Sequence, residues 1–268
     1  MHRTLIAIVL AAAIAAPAAA QQTSAGGRET DDTFDWSGEV GAGNWLRIRN
    51  INGSIEVAEA TGATAEVHAQ KQWRRGDPRR VHFAVVKDGG NVTVCALWHD
   101  DDTCDANGVN SHHHHDHDDG GNVSVHFTVK LPKGVKVDVG TINGSVSVTG
   151  AGAEVVATTV NGRVDAATSS GPVRATAVNG SVHARMDALP PDVDLEYRTV
   201  NGSVTVELPA SFDADVEMTT VNGTLRSDFP LTVNGRINPR HIRAVIGKGG
   251  RRLQLETVNG SVELRKLS

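Results

Sequence analysis

The densest group of chemically capable side chains is the run His112, His113, His114, His115, Asp116, His117, Asp118 and Asp119. Neutral imidazole and carboxylate ligate Zn²⁺, Ni²⁺ and Cu²⁺, and ligands adjacent in sequence can wrap an ion without a preformed fold. His112, His113, His114, His115, Asp116 and His117 are therefore the candidate metal ligands. His99, Asp100, Asp101 and Asp102 add a second cluster close by. The same composition also describes a long, solvated, low-complexity loop between two strands. We take the loop as the biological role and Zn²⁺ or Ni²⁺ affinity as adventitious, and expect no resident cofactor.

Cys95 and Cys104 are the only cysteines. Their meaning depends on compartment, and the N-terminus speaks to that. His2 and Arg3 precede an apolar run from Leu5 to Ala16, and Ala18-Ala19-Ala20 is an A-x-A site with cleavage expected before Gln21. Residues 1–20 thus read as a secretory signal, and the product is expected in the periplasm or at the cell surface. No later stretch approaches the roughly 18 apolar residues of a spanning helix. In an exported chain an even cysteine pair is most simply a disulfide, here closing C-A-L-W-H-D-D-D-T-C. Free thiols or metal ligands are the alternative, although the spacing matches no zinc knuckle.

Other motifs are weaker. Thr103 to Gly108 faintly resembles a calcium loop, but Thr stands at its first position and His114 at its twelfth. Gly247-Lys248-Gly249-Gly250 lacks the full phosphate-loop spacing and reads as a turn. Neither G-x-S-x-G nor H-E-x-x-H occurs. Asp165, Glu207 and Glu263 sit at ordinary alternating positions and read as a solvated sheet face. No catalytic residue is assigned.

The elements that would carry these groups follow from a repeat. Asn-Gly occurs nine times, and eight copies share a frame: Asn52-Gly53, Asn143-Gly144, Asn161-Gly162, Asn179-Gly180, Asn201-Gly202, Asn222-Gly223, Asn234-Gly235 and Asn259-Gly260. The ninth, Asn107-Gly108, does not fit. In all eight the residue before Asn and the third after it are aliphatic; in six, Thr stands two before. Alternating apolar pairs such as Val137/Val139 and Leu253/Leu255 lie upstream. The unit is a period-two strand, a T-V-N-G-S corner and a second period-two strand. Asn tolerates left-handed φ and Gly has no Cβ, so both are expected to turn the chain through unusual dihedrals.

Two all-β architectures fit. One is an antiparallel meander of two-residue hairpins. The other is a single-stranded, right-handed β-solenoid whose corners stack in register. An aliphatic residue before every Asn favours the solenoid, because stacked corners want identical side chains whereas a hairpin asks nothing of that position. The 268 residues divide into the signal (1–20), a flexible lead (21–33) and one β-strand-repeat domain (34–268) with a His/Asp-rich loop insertion at about 99–121. With 26 Lys and Arg against 31 Asp and Glu, the net charge of −5 implies no nucleic-acid surface. At 4% aromatic the chain lacks the usual material of sugar-stacking grooves.

The run V-H-F-T-V-K-L-P-K-G-V-K-V-D-V-G-T-I-N-G-S-V-S-V (125–148), the repeated T-V-N-G-S-V and the ending I-G-K-G-G-R-R-L-Q-L-E-T-V-N-G-S-V-E-L (246–264) resemble the bacterial toastrack, or putative-adhesin, family. The resemblance covers about residues 40–268. It implies an exported or envelope-attached β-helical protein with no established activity, so no catalytic residue carries over. A non-catalytic scaffold that binds an envelope protein or a glycan is the leading expectation. A periplasmic metal-binding protein comes next, and a polysaccharide-active β-helix enzyme last. The His-rich tract lies outside the shared pattern.

Overall fold

The computed structural model describes residues 26–111, 123–233 and 238–267. The first part of the chain holds β1 (Gly27–Glu29), β2 (Thr33–Glu39), β3 (Trp45–Arg49), β4 (Ile55–Glu59), β5 (Thr64–Trp73), β6 (His82–Asp88) and β7 (Asn91–Leu97). The short β8 (Thr103–Cys104) and β9 (Val109–Asn110) follow, then β10 (Val123–Leu131). The repeats then supply strand pairs: β11 (Lys136–Asn143) and β12 (Val146–Ala151), β13 (Val155–Asn161) and β14 (Val164–Thr168), β15 (Val173–Asn179) and β16 (Val182–Met186), β17 (Leu195–Arg198) and β18 (Val204–Leu208), β19 (Ala214–Asn222) and β20 (Leu225–Ser227). The last strands are β21 (His241–Ile246), β22 (Arg252–Asn259) and β23 (Val262–Lys266).

Every Asn-Gly corner from Asn52 to Asn222, and that of Asn259, joins a strand of one sheet to a strand of the other. Sheet A runs β21-β19-β22-β17-β15-β13-β11-β3-β7-β6, and sheet B runs β1-β2-β5-β10-β4-β12-β14-β16-β18-β23-β20. The two strands flanking a corner never pair with each other. Each pairs in parallel with its counterpart in the next coil, like residue opposite like: Val155 opposite Val173, Val164 opposite Val182, Asn161 opposite Asn179, with one register shift between Val148 and Ala151 in the β12–β14 pair. A hairpin meander is thereby excluded for the repeats. Because register is fixed, alternate residues of every strand point between the sheets. Val, Ala, Leu and Ile from both sheets merge there into one continuous core. Each fully buried aliphatic side chain contributes about 1.5–3 kcal/mol.

Spatial order departs from chain order at both ends. The coil of Asn259 (β22 and β23) inserts between the coils of Asn201 and Asn222. Likewise β7 and β10 form a coil stacked on β3 and β4, and β10 separates β4 from β5. Antiparallel strands close the ends: β5, β2 and β1 in sheet B, β6 and β21 in sheet A. Residues 27–29, expected within the flexible lead, therefore form strand, because β1 pairs with β2. At this end Lys71, almost fully buried, plugs the core. Its ammonium lies 3.0 Å from Glu29 Oε1 and 5.3 Å from the Phe83 ring. The signal segment 1–20 lies outside the described residues.

Candidate functional site

The corners form one edge of the sandwich. There the Asn side chains make a continuous amide ladder. Nδ2 of Asn222 donates to Oδ1 of Asn259, Asn259 to Asn201, Asn201 to Asn179, Asn179 to Asn161 and Asn161 to Asn143, at 2.7–2.8 Å. The ladder stops at Asn143; the Asn52 amide donates instead to the Val123 carbonyl at 2.9 Å. Beneath the ladder the buried Thr hydroxyls donate to the corner carbonyl of the adjacent coil: Thr141 to Gly53, Thr159 to Gly144, Thr199 to Gly180, Thr257 to Gly202 and Thr220 to Gly260, at 2.7–3.0 Å. This satisfies a buried polar side chain and explains Thr two positions before Asn. Ala177 holds that place in the Asn179 coil, and Asn50 in the first coil, where its Nδ2 reaches the Gly53 and Val125 carbonyls.

The expected reason for the Asn-Gly pair needs correcting. Among the described residues only Asp192 is a non-glycine with positive φ, so none of the seven described corner Asn residues is left-handed. Of the corner glycines, Gly53 (φ 117°) and Gly260 (φ 154°) have positive φ, whereas Gly144, Gly162, Gly180, Gly202 and Gly223 do not. Glycine is required there by close approach. A Cβ on Gly202 would collide with the Gly180 carbonyl oxygen and lie 2.5 Å from its carbon, and the same contact recurs up the column. Asn is required for the ladder. Asn234 and Gly235 lie outside the described residues.

The aliphatic residue before each Asn points outward. Ile142, Val160, Val178, Val200 and Val221 are 36–49% exposed beside the amide ladder; the first four follow one another coil by coil, and the less exposed Val258 stands between Val200 and Val221. The first residues of this ridge, Ile51, Ile142 and Val160, wall a shallow hollow whose other side is Asn107, Gly108, Val109 and Ser111.

Those last residues belong to the insertion, which replaces a corner in the coil of β7 and β10. It is more than a loop. Cys95 and Cys104 are bonded, with Cα atoms 6.0 Å apart, and the bridge fixes the β8–β9 hairpin to the outer face of sheet A in a small cluster with Val86, Leu97 and Val109. Asn107-Gly108, the Asn-Gly outside the frame, is the tip of that hairpin. Asp105 and Gly108 exchange backbone hydrogen bonds, and Gly108 has φ 136°. Asp102 is buried, and its Oδ2 accepts from the Trp98 and His99 backbone N–H groups at 2.9 and 3.0 Å. Burial pushes its carboxyl up, but the Ser111 hydroxyl and those two N–H donors outweigh it and hold the group below the usual carboxylate range. His112, His113, His114, His115, Asp116 and His117 lie outside the described residues. Among the described residues no group of three or more His, Cys, Asp or Glu could hold a metal ion.

On the outer face of sheet B the structure assembles a set that sequence reading left as scattered surface charge. His183 Nδ1 lies 2.8 Å from Asp165, and its Nε2 3.3 Å from Glu207. Arg185 adds contacts to Glu207 and Asp187. Asp165 and His183 stand at the same offset after Asn161 and Asn179, so aligning the repeats would have revealed the pair. Glu263 instead pairs with Arg265. On sheet A, hydrogen bonds from Arg243 at 2.9 and 3.1 Å hold the Glu217 carboxyl below its ordinary value. Lys248 and Gly250 donate backbone N–H groups to Asp213 and Asp215, so the Gly247–Gly250 segment is a turn pinned by carboxylates.

The family model described as Toastrack DUF4097 matches residues 46–265. The chain belongs to the toastrack family. The match spans every corner described above and the insertion as well. No curated protein matches this toastrack chain. Among solved structures, a "putative cell adhesion protein" from Clostridium sporogenes superposes with a TM-score of 0.50 at 10% identity, covering 88% of this chain and 99% of that one. A "putative adhesin" from Bacteroides fragilis gives 0.36 at 9% identity, covering 89% and 98%. At such identity the first likeness shows a shared fold. Among the described residues no helix is long and apolar enough to cross a membrane.

Proposed function

We propose that this toastrack protein is an exported, non-catalytic binding scaffold of the cell envelope or surface, adhesin-like in role. The observation that carries the reading is the ridge of Ile142, Val160, Val178, Val200 and Val221. Five aliphatic side chains are held in parallel register on a rigid edge and left partly in water. A row of this kind suits a partner that is itself extended, an envelope protein or a glycan. The first residues of the chain support export, with Gln21 as the mature N-terminus. The coils are taken as right-handed, the hand that parallel crossovers within one sheet adopt. Capture of envelope components on the immobilised protein tests the reading. Val160→Ser/Val178→Ser/Val200→Ser should lose the captured component with the thermal midpoint intact, and equal capture by that variant defeats it. Fractionation and intact mass test export.

A second reading is divalent-metal binding by His112, His113, His114, His115, Asp116 and His117. The favouring observation is that both flanks are anchored at the corner edge, Ser111 beside Asp102 and Val123 by the Asn52 amide. Calorimetric titration with Zn²⁺ should show binding to the intact chain that falls below about pH 6.5, where imidazole protonates. Deleting residues 112–119 should abolish it.

A further inference from the structure

The segment joining β5 to β6 reads W-R-R-G-D-P-R-R over residues 73–80. Trp73 is 41% exposed, and Arg74, Arg75, Arg79 and Arg80 are all exposed. Asp77 is the only acid in the segment, and it is committed. Its Oδ1 accepts from Arg79 N at 3.0 Å and from Nε at 2.9 Å, and its Oδ2 accepts from Nη2 at 2.9 Å. Hydrogen bonds from Arg79 hold the Asp77 carboxyl down to about 2, so it stays ionised and paired with Arg79. Asp31 also acts electrostatically on Arg79. Among the described residues Arg74 and Arg75 have no ion pair or hydrogen bond. Four Arg less one Asp give the segment a charge of +3 in a chain whose total is −5. Net charge therefore misleads here: this one loop is locally basic in an acidic chain.

The place of the loop matters as much as its charge. It crosses from sheet B to sheet A at the N-terminal end of the sandwich, beyond the last parallel coil. Trp73 is held in register opposite Val123, and with Arg74 it borders a hollow shared with Asn52, Gln72 and Ser124. An indole at a rigid strand end is amphipathic and matches headgroup depth in a bilayer. Guanidinium groups with no internal partner match phosphate oxygens, which they can bind bidentately. A single exposed ring with no second aromatic beside it forms no base-stacking platform, which disfavours nucleic acid.

We propose that the Trp73–Arg80 loop docks this end of the sandwich onto an anionic phospholipid surface, with Trp73 among the headgroups and Arg74 and Arg75 on lipid phosphates. The proposal is independent of the valine ridge, and its variants leave that ridge untouched.

The test is co-sedimentation of the purified chain with vesicles of phosphatidylcholine alone and of phosphatidylcholine mixed with phosphatidylglycerol. Binding is expected only to the mixed vesicles, and it should weaken as salt is raised. At about fivefold per basic residue near an anionic surface, Arg74→Ser/Arg75→Ser should weaken it about thirtyfold. Trp73→Ser should weaken it as well, whereas Arg74→Lys/Arg75→Lys should retain most of it. The thermal midpoints of the two Arg variants should match the parent's, since neither Arg has an internal partner among the described residues. Equal binding to neutral vesicles overturns the proposal, as does indifference to the Arg variants. Full competition by inorganic phosphate, with Trp73→Ser indistinguishable from the parent, assigns the loop to free phosphate and overturns the membrane reading.

Discussion

In the coil of Asn161 the chain passes from sheet A to sheet B through one Asn-Gly corner. Between β7 and β10, three coils away, the equivalent passage takes residues 98–122. The regular corners lie between neighbours on both sides, so the spacing between coils, about 4.8 Å, leaves no room for a Cβ at the glycine. The β7–β10 coil has a regular corner on one side only; beyond it the strands run antiparallel. Its corner can expand outward, provided the chain returns in register. It does so at Val123–Phe127: Val125 N donates to Asn52 O at 2.7 Å and Phe127 N to Ser54 O at 2.9 Å. Repetition thus constrains the middle of the column by contact on both sides, and an insertion is accommodated where one of those contacts is missing. What the column gains from stacked amides and hydroxyls, the insertion replaces with a disulfide, a hairpin and a buried carboxylate.

The sharpest way to break this contrast is to put a side chain into the column. Gly202→Val should destabilise the protein by about 3 kcal/mol, the upper range for overpacking, because the colliding atom is backbone of the adjacent corner, which is itself stacked between coils. Gly62→Ala is the control. Gly62 lies in the β4–β5 loop, with nothing within 4 Å of a built Cβ, and should be neutral. Thermal unfolding of both variants decides, and a silent Gly202→Val would mean that the coils can separate freely.

Much of this was legible in the sequence. The stacked frame of the seven described corners was legible because parallel stacking forces like residues onto like positions. The reason for the glycines was not legible, since the same residue serves positive φ at Gly108 and bare contact at Gly202. Nor was coil order: the Asn222 and Asn259 copies carry the same pattern, so nothing local says that the later one inserts first. Asn107-Gly108 carries the same dipeptide as the corners, yet it closes a hairpin because antiparallel strands flank it. The basic loop beside Trp73 was in plain view, masked by a net charge that averages over the chain.

Removing the disulfide tests the other region. Cys95→Ala/Cys104→Ala should destabilise by roughly 2 kcal/mol, the order of loop-closure entropy for so short a ring. The loss should be local first. Amide exchange across residues 103–110 should accelerate while the corner amides at Gly162 and Gly180 stay protected. Uniform acceleration would show that the insertion and the column unfold as one unit.

A smaller effect grades the column itself. Thr159→Ala removes a buried hydroxyl from the Gly144 carbonyl and should lose about 1 kcal/mol. The converse, Ala177→Thr, restores a hydroxyl to the Asn179 coil and should gain up to about 1 kcal/mol. Denaturant midpoints measure both. A destabilising Ala177→Thr would mean that the site is too tight for the added atoms, and that the alanine relieves crowding between Thr159 and Thr199.

The smallest expected effect separates the two regions by acid. The Thr–Asn–Gly ladder contains no titratable group, whereas the insertion turns on Asp102. The Asp102 carboxyl is held low when folded, because the neighbouring Ser111 hydroxyl and the Trp98 and His99 N–H groups outweigh the opposing effect of burial. A group whose folded pKa lies below its unfolded value stabilises the fold above that unfolded value, about 3.9 for Asp. The stabilisation is lost as pH falls through the folded value. Lowering pH from about 6 to about 3 should therefore raise exchange severalfold at the amides of residues 98–104 and leave Gly162 and Gly180 at their intrinsic acid dependence. Asp102→Asn keeps the shape but carries no titratable proton, so exchange in the turn should be faster throughout and lose its acid step. If the step survives in that variant, protonation elsewhere governs the insertion, and Asp102 is only a buried acceptor.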